Sequence, residues 1–284
     1  MELIKDQEFG GERPLYCKHD ILLDNVTIHV GESSIKECYN VEAVNCQFEG
    51  KYPFWENNGF VVRNCVFKEG ARSALWYSRN CEMYDSLVEA PKMFRSMDGI
   101  KLQNVRFPNA QETMWHVKNV HLEDVEFSNA NYLFMDSENI FINHMTLNGN
   151  YSFQYCKNVE IHNSVLNSKD AFWETENVTI YDSIINGEFL AWYAKRLRLV
   201  NCHIKETQPL CYIEDLTMEN CTMDADCDLA FEYSSCQVDI NGPVTSIKNP
   251  RSGVIKVKSV GEIILDENIK KPGNCKIIVG DQEV

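Results

Sequence analysis

Long apolar runs are what this chain most plainly lacks. No stretch approaches about 18 uncharged apolar residues, the length a helix needs to cross a bilayer. Basic clusters are missing too. The 27 Lys and Arg form no run, and against 42 Asp and Glu they leave a net charge of −15. That balance excludes nucleic acid and anionic membrane as expected partners. Twelve cysteines occur, yet no two are spaced C-x-x-C, which leaves a zinc site without support. A Gly-rich phosphate loop, a nucleophile elbow and a metalloprotease helix motif are likewise absent, so no metal and no cofactor is called for. The opening Met1-Glu2-Leu3-Ile4-Lys5-Asp6 has no apolar signal core, and the expectation is a cytoplasmic protein with reduced thiols.

What the chain does have is a repeat. Asn25, Asn45, Asn64, Asp85, Asn104, Asp124, His144, Asn163, Asp182, Asn201 and Asn220 recur at intervals of 19 to 21 residues. Four residues before each sits an apolar side chain (Ile21, Val41, Phe60 and onward to Leu216), with another two before it and a third three after it. Apolar residues two apart read as short strands. The parity slips at the Asn position, where a residue tolerant of left-handed geometry suits a sharp bend. His144 stands in this bend column as a structural substitute. Cys46, Cys65, Cys202 and Cys221 share a column with Val and Ser, so they read as small buried side chains rather than disulfide partners.

All five tryptophans, Trp55, Trp76, Trp115, Trp173 and Trp192, fall in one further column. Phe94, Met135, Gln154, Cys211 and Phe231 take that place in the other copies. One such coil cannot bury its own apolar side, but stacked coils share a core. The expected fold is all-β: a right-handed parallel β-helix of about a dozen coils. Leucine-rich and left-handed hexapeptide solenoids need spacings that are not here. Residues 1–20 and 236–284 break the register and read as caps on the regular coils 21–235, within a single domain.

Columns of one residue type are structural, so function should lie where outward positions are polar and differ between coils. An alternating aromatic strand would turn the tryptophans inward. It would turn Phe54, Leu75, Met93, Met114, Phe134, Phe153, Phe172 and Leu210 outward as an apolar strip; a bulge would reverse this. Such a strip marks a ligand groove or a subunit interface, hence an expected ligand or a homo-oligomer. The flanking column supplies Tyr77, Arg95, His116, Asp136, Tyr155 and Glu174, and the other flank supplies Glu112 and Asp170. His116 beside Asp136 forms an orienting dyad, with Arg95 next to it. Asp136 and Glu174, two coils and about 9–10 Å apart, would be an acid/base pair. Catalytic candidates are thus Asp136, Glu174 and His116. Substrate-binding candidates are Arg95, Glu112, Asp170, Tyr155 and Tyr77. The competing expectation is a scaffold without catalysis, and a charged column is in itself an ordinary solvated face.

Blocks such as Gly11-Glu-Arg-Pro-Leu-Tyr16, Lys51-Tyr-Pro-Phe-Trp55, Ala90-Pro-Lys-Met-Phe-Arg95, Ser168-Lys-Asp-Ala-Phe-Trp173 and Asp228-Leu-Ala-Phe-Glu-Tyr233 span nearly the whole chain. Together they resemble a bacterial family of unknown function in the pectin-lyase-like right-handed β-helix group. The resemblance implies the fold and, through the wider group's polysaccharide lyases and hydrolases, a carbohydrate ligand. It carries over no catalytic residue. The calcium-binding Asp set of pectate lyases and the Asp cluster of polygalacturonases are not matched; Asp136, Asp170 and Glu174 with Arg95 and His116 differ in spacing.

Overall fold

The computed structural model describes residues 1–270 and 272–284, and among them the right-handed parallel β-helix expected from the repeat is the fold. A single 3-10 turn, Glu69–Ala71, is the one helical element among the described residues. Contacts group the chain into two compact units, residues 1–149 and 150–284.

In the first unit the columns stack in register. Ile21 pairs with Val41, then Phe60, Cys81, Ile100, Val120 and Ile140. In the second, Val159, Val178, Leu197, Leu216 and Cys236 form the equivalent column. Every member is buried. Phe48 on Phe67 and Phe107 on Phe127 stack face to face, each at 4.7 Å. Each buried side chain of this size contributes about 1.5–3 kcal/mol. All eleven members of the bend column take positive φ, between 48° and 57°. Their amides then bond from coil to coil: the Nδ2 of Asn220 donates to Oδ1 of Asn201 at 2.9 Å, and Asn201 donates to Asp182 at 2.9 Å. Glycine appears where coils approach too closely for a side chain. A Cβ on Gly187 would sit 2.0 Å from the Ser168 carbonyl oxygen.

Candidate functional site

The aromatic arm is not a strand. From Tyr52 to Tyr233 three alternate residues of each coil take left-handed φ, as in Tyr52, Phe54 and Glu56, or Phe189, Ala191 and Tyr193. Left-handed geometry costs roughly 1–2 kcal/mol per non-glycine residue. The stack offsets it by satisfying the backbone on both sides. The N–H of Leu75 donates to Pro53 O of the coil before, and that of Tyr77 to Arg95 O of the coil after. Alternating left-handed and extended residues give two inward, two outward and one inward side chain. Pro53 and Phe54 are buried, Trp55 and Glu56 face out, and Asn57 is buried again.

This overturns the expected orientation. Phe54, Leu75, Met93, Met114, Phe134, Phe153, Phe172 and Leu210 are all at most 1% exposed, so the predicted apolar strip lies in the core. The tryptophans are half-buried at the surface. Strand alternation was the wrong premise, because repeated positive φ shifts the parity. The uncharged neighbours Asn57, Ser78, Ser137 and Thr175 are buried pegs whose role is the backbone: Ser78 Oγ donates to Phe54 O at 2.6 Å and Thr175 Oγ1 to Phe172 O at 3.0 Å.

In the first unit Trp55 stacks on Trp76 at 5.4 Å. The next place in that column belongs to Arg95, not Phe94, which is buried in the Phe54 column. The Arg95 guanidinium lies 5.0 Å from the Trp76 ring and 4.1 Å from Trp115. It also copies the indoles' hydrogen bond. Trp76 Nε1 donates to Lys92 O at 2.8 Å, Arg95 Nη2 to Glu112 O at 3.1 Å, and Trp115 Nε1 to Tyr132 O at 2.6 Å. The Glu112 carboxylate accepts from Arg95 at 2.9 Å and faces Lys92 at 3.2 Å. Burial pulls that carboxyl upward, but the two cations more than offset it and hold it below the usual range. His116 and Asp136 do meet, Nδ1 to Oδ2 at 3.1 Å, with side chains 54% and 64% exposed. Tyr77 packs edge-on to Trp55 at 5.3 Å. Elsewhere in this unit Glu123, Asp124 and His144 offer donor atoms within 4.8 Å of one another, a set that could hold a cation. All lie on an open acidic surface, where such groupings are common without one.

The second unit holds Tyr155, Asp170 and Glu174, so Asp136 belongs to a different unit from its expected partner Glu174. Tyr155 is 44% exposed. Asp170 is almost buried, and desolvation with nearby Glu188 raises its carboxyl despite Lys169. Trp173 stacks on Trp192 at 5.9 Å, with Nε1 of Trp192 donating to Gln208 O at 2.9 Å. Outside them runs a tyrosine ladder: Tyr193 on Tyr212 at 4.9 Å, and Tyr212 on Tyr233 at 5.6 Å. Partial burial and the neighbouring Glu232 push the Tyr212 hydroxyl up to about 12. The ladder starts at Tyr193 because Glu174 occupies the column's preceding place, so the Tyr193 face on that side carries no stacked ring among those described.

A concavity of about 600 Å³ opens there, lined by Glu174, Glu176, Tyr193, Lys195, Tyr212, Glu214 and Arg251. A second, of about 340 Å³, adjoins it through Tyr193, Tyr212 and Arg251 and reaches Tyr233 and Lys270. Glu176 is held by Arg196 at 2.5 Å and Glu214 faces Lys195 at 3.9 Å. Arg251 bonds Ser235 Oγ at 3.3 Å. Among the described residues neither Glu174 nor Arg251 has an ion-pair partner. The sequence named Glu174 as a candidate, but not its neighbours in this concavity, Tyr193, Tyr212, Tyr233 and Arg251. The tyrosine column was visible once the coils were aligned. Arg251 sits beyond the regular repeat and carried no signal.

Over residues 2–278 the sequence matches the family described as protein of unknown function (DUF3737). The chain belongs to that family. No curated protein matches this DUF3737 member. Among solved structures it is similar to the A-module of the mannuronan C-5 epimerase AlgE4 of Azotobacter vinelandii, at 11% identity over 97% of this chain and 91% of that one, with a TM-score of 0.40. The periplasmic alginate epimerase AlgG, as a double mutant, is similar at 10% identity over 98% and 75%, with a TM-score of 0.23. QnrB1, a plasmid-mediated fluoroquinolone resistance protein, follows at 11% over 78% and 94%, with a TM-score of 0.22. Likenesses this slight carry no substrate or reaction across. No described helix of the family member is long and apolar enough to cross a membrane, which says nothing of a β-barrel.

Proposed function

We propose that the second unit binds an oligosaccharide in the groove over its aromatic arm. The observation that carries this is the half-exposed Tyr193 ring beside Glu174, with Trp173 edge-on to it and no ring stacked on that side among those described, in a concavity that Arg251 enters from a later coil. An aromatic face takes the apolar side of a sugar ring. An unpaired carboxylate and an unpaired guanidinium supply an acceptor pair and a donor fork for neighbouring hydroxyls. Coils stacked at about 4.8 Å repeat such contacts at a spacing close to one sugar residue. Within this reading Glu174 is the candidate acid or base, Tyr155 and Asp170 flank the groove's lower coils, and catalysis is a second property to be tested. His116, Asp136, Arg95, Glu112 and Tyr77 remain a separate candidate surface in the first unit. The thiol-rich interior supports a reducing, cytoplasmic setting.

Titration calorimetry with neutral and charged tetrasaccharides tests the binding, and a reducing-sugar assay tests hydrolysis. Tyr193→Ala should weaken binding about tenfold, the worth of one stacked ring. Affinity unchanged in both Tyr193→Ala and Arg251→Ala would remove the groove from consideration. Self-association remains the second reading, but it can no longer use Phe134 or Phe153, which are fully buried.

A further inference from the structure

We infer that the groove's ligand is an oligosaccharide bearing free amines, held by an ammonium against Glu174 and the exposed Tyr193 ring. This rests on the glycan-binding reading and adds the ligand's charge to it. Three carboxylates line the larger concavity against two cations. Glu176 is already engaged by Arg196, which lies outside the lining, and Glu214 faces Lys195. Glu174 is left as the uncompensated charge at the groove's lower end. A hydroxyl-only ligand would replace water there without supplying a counter-charge, and partly desolvating a lone carboxylate is costly. An ammonium offsets that cost. It also fits the second neighbour, because a cation over a tyrosine ring is attracted by the ring's quadrupole. Long-range charge works in the same direction, since a chain of net charge −15 concentrates cations and repels polyanions near its surface. Arg251 does not contradict this. Arg251 lies four coils along from Glu174, its Nη2 turned to Ser235, where the lining becomes basic with Lys270. There the guanidinium serves as a donor to sugar oxygens.

The test is calorimetry on the full chain with four tetramers: β-1,4-linked glucosamine, its N-acetylated form, cellotetraose and tetragalacturonate. At pH 6 and low salt the glucosamine tetramer should bind about fivefold tighter than cellotetraose, the worth of one partly exposed ion pair. The N-acetylated form should match cellotetraose. The advantage should shrink as salt is added and vanish when the pH is raised until the amines are neutral. Glu174→Gln should erase the ratio between the amine and neutral tetramers. Arg251→Gln should weaken both and leave the ratio standing. Equal affinity for amine and neutral tetramers, or tighter binding of tetragalacturonate, overturns the amine assignment while glycan binding stands. Failure of all four to bind overturns the glycan reading and this one with it.

Discussion

Arg95 shows how a single side chain is fitted to a repeat. It occupies a tryptophan's place, lies between two indole planes, and makes the bond to the next coil that an indole N–H makes elsewhere. Planarity and the hydrogen-bond donor are what the column selects; charge is incidental to the stack. Arg95→Trp should therefore change stability by less than about 1 kcal/mol, whereas Arg95→Ala should cost about 2 kcal/mol in a urea titration, from two lost cation–π contacts and a Glu112 carbonyl left without its donor, while the Glu112 carboxylate keeps Lys92 in both variants. His29 gives the pH counterpart. It bridges Glu8 and Glu49 at 3.1 Å each, and those hydrogen bonds raise it above its ordinary 6.5. Its contribution is fully present below the unfolded value and is lost as pH rises through the raised one. The melting temperature should accordingly fall across the pH window just above 6.5, and His29→Gln should flatten that part of the profile. At this scale the sequence spoke clearly about Asn201 or Cys202, whose columns repeat. It misplaced Arg95 by one position, because Met93-Phe94-Arg95 offers two equally good alignments to Phe54-Trp55.

The element that misled is the aromatic arm. Its strands elsewhere were legible from apolar residues two apart, and Ile100, Leu102, Val105 and Phe107 are buried as that pattern requires. In the arm the same two-residue spacing arises from alternating left-handed residues, and spacing alone does not distinguish it from a strand. Phe172 therefore points in and Trp173 out, the reverse of strand logic. The bends, by contrast, carried a direct signal in Asn and Asp. At Asn201, with φ of 54°, Asn201→Ala should cost about 1–2 kcal/mol more than Asn201→Gly, since alanine bears the left-handed penalty that glycine avoids and neither keeps the amide ladder. Thermal unfolding of the pair measures the difference. Equal loss in both would show that the ladder hydrogen bonds, not the backbone geometry, hold the bend.

For the whole molecule, composition was informative about what to exclude and silent about where to look. Net charge and the scattered lysines argue against polyanions, and Cys46, Cys65, Cys202 and Cys221 are buried as their small-residue column required. The proposed groove draws Glu174 and its tyrosines from a repeat column and its cations partly from residues the repeat does not mark. Arg251 and Lys270 come from the irregular last stretch, and they meet Tyr193, Tyr212 and Tyr233 through folding rather than spacing. The most direct test of the account is acrylamide quenching of intrinsic tryptophan fluorescence. With indole edges at the surface and phenylalanines behind them, the native protein should be quenched substantially, and the glucosamine tetramer should protect part of that signal through Trp173 and Trp192. Native fluorescence that acrylamide leaves untouched, recovering sensitivity only on unfolding, would mean that the tryptophans form the core and that the arm is oriented the other way.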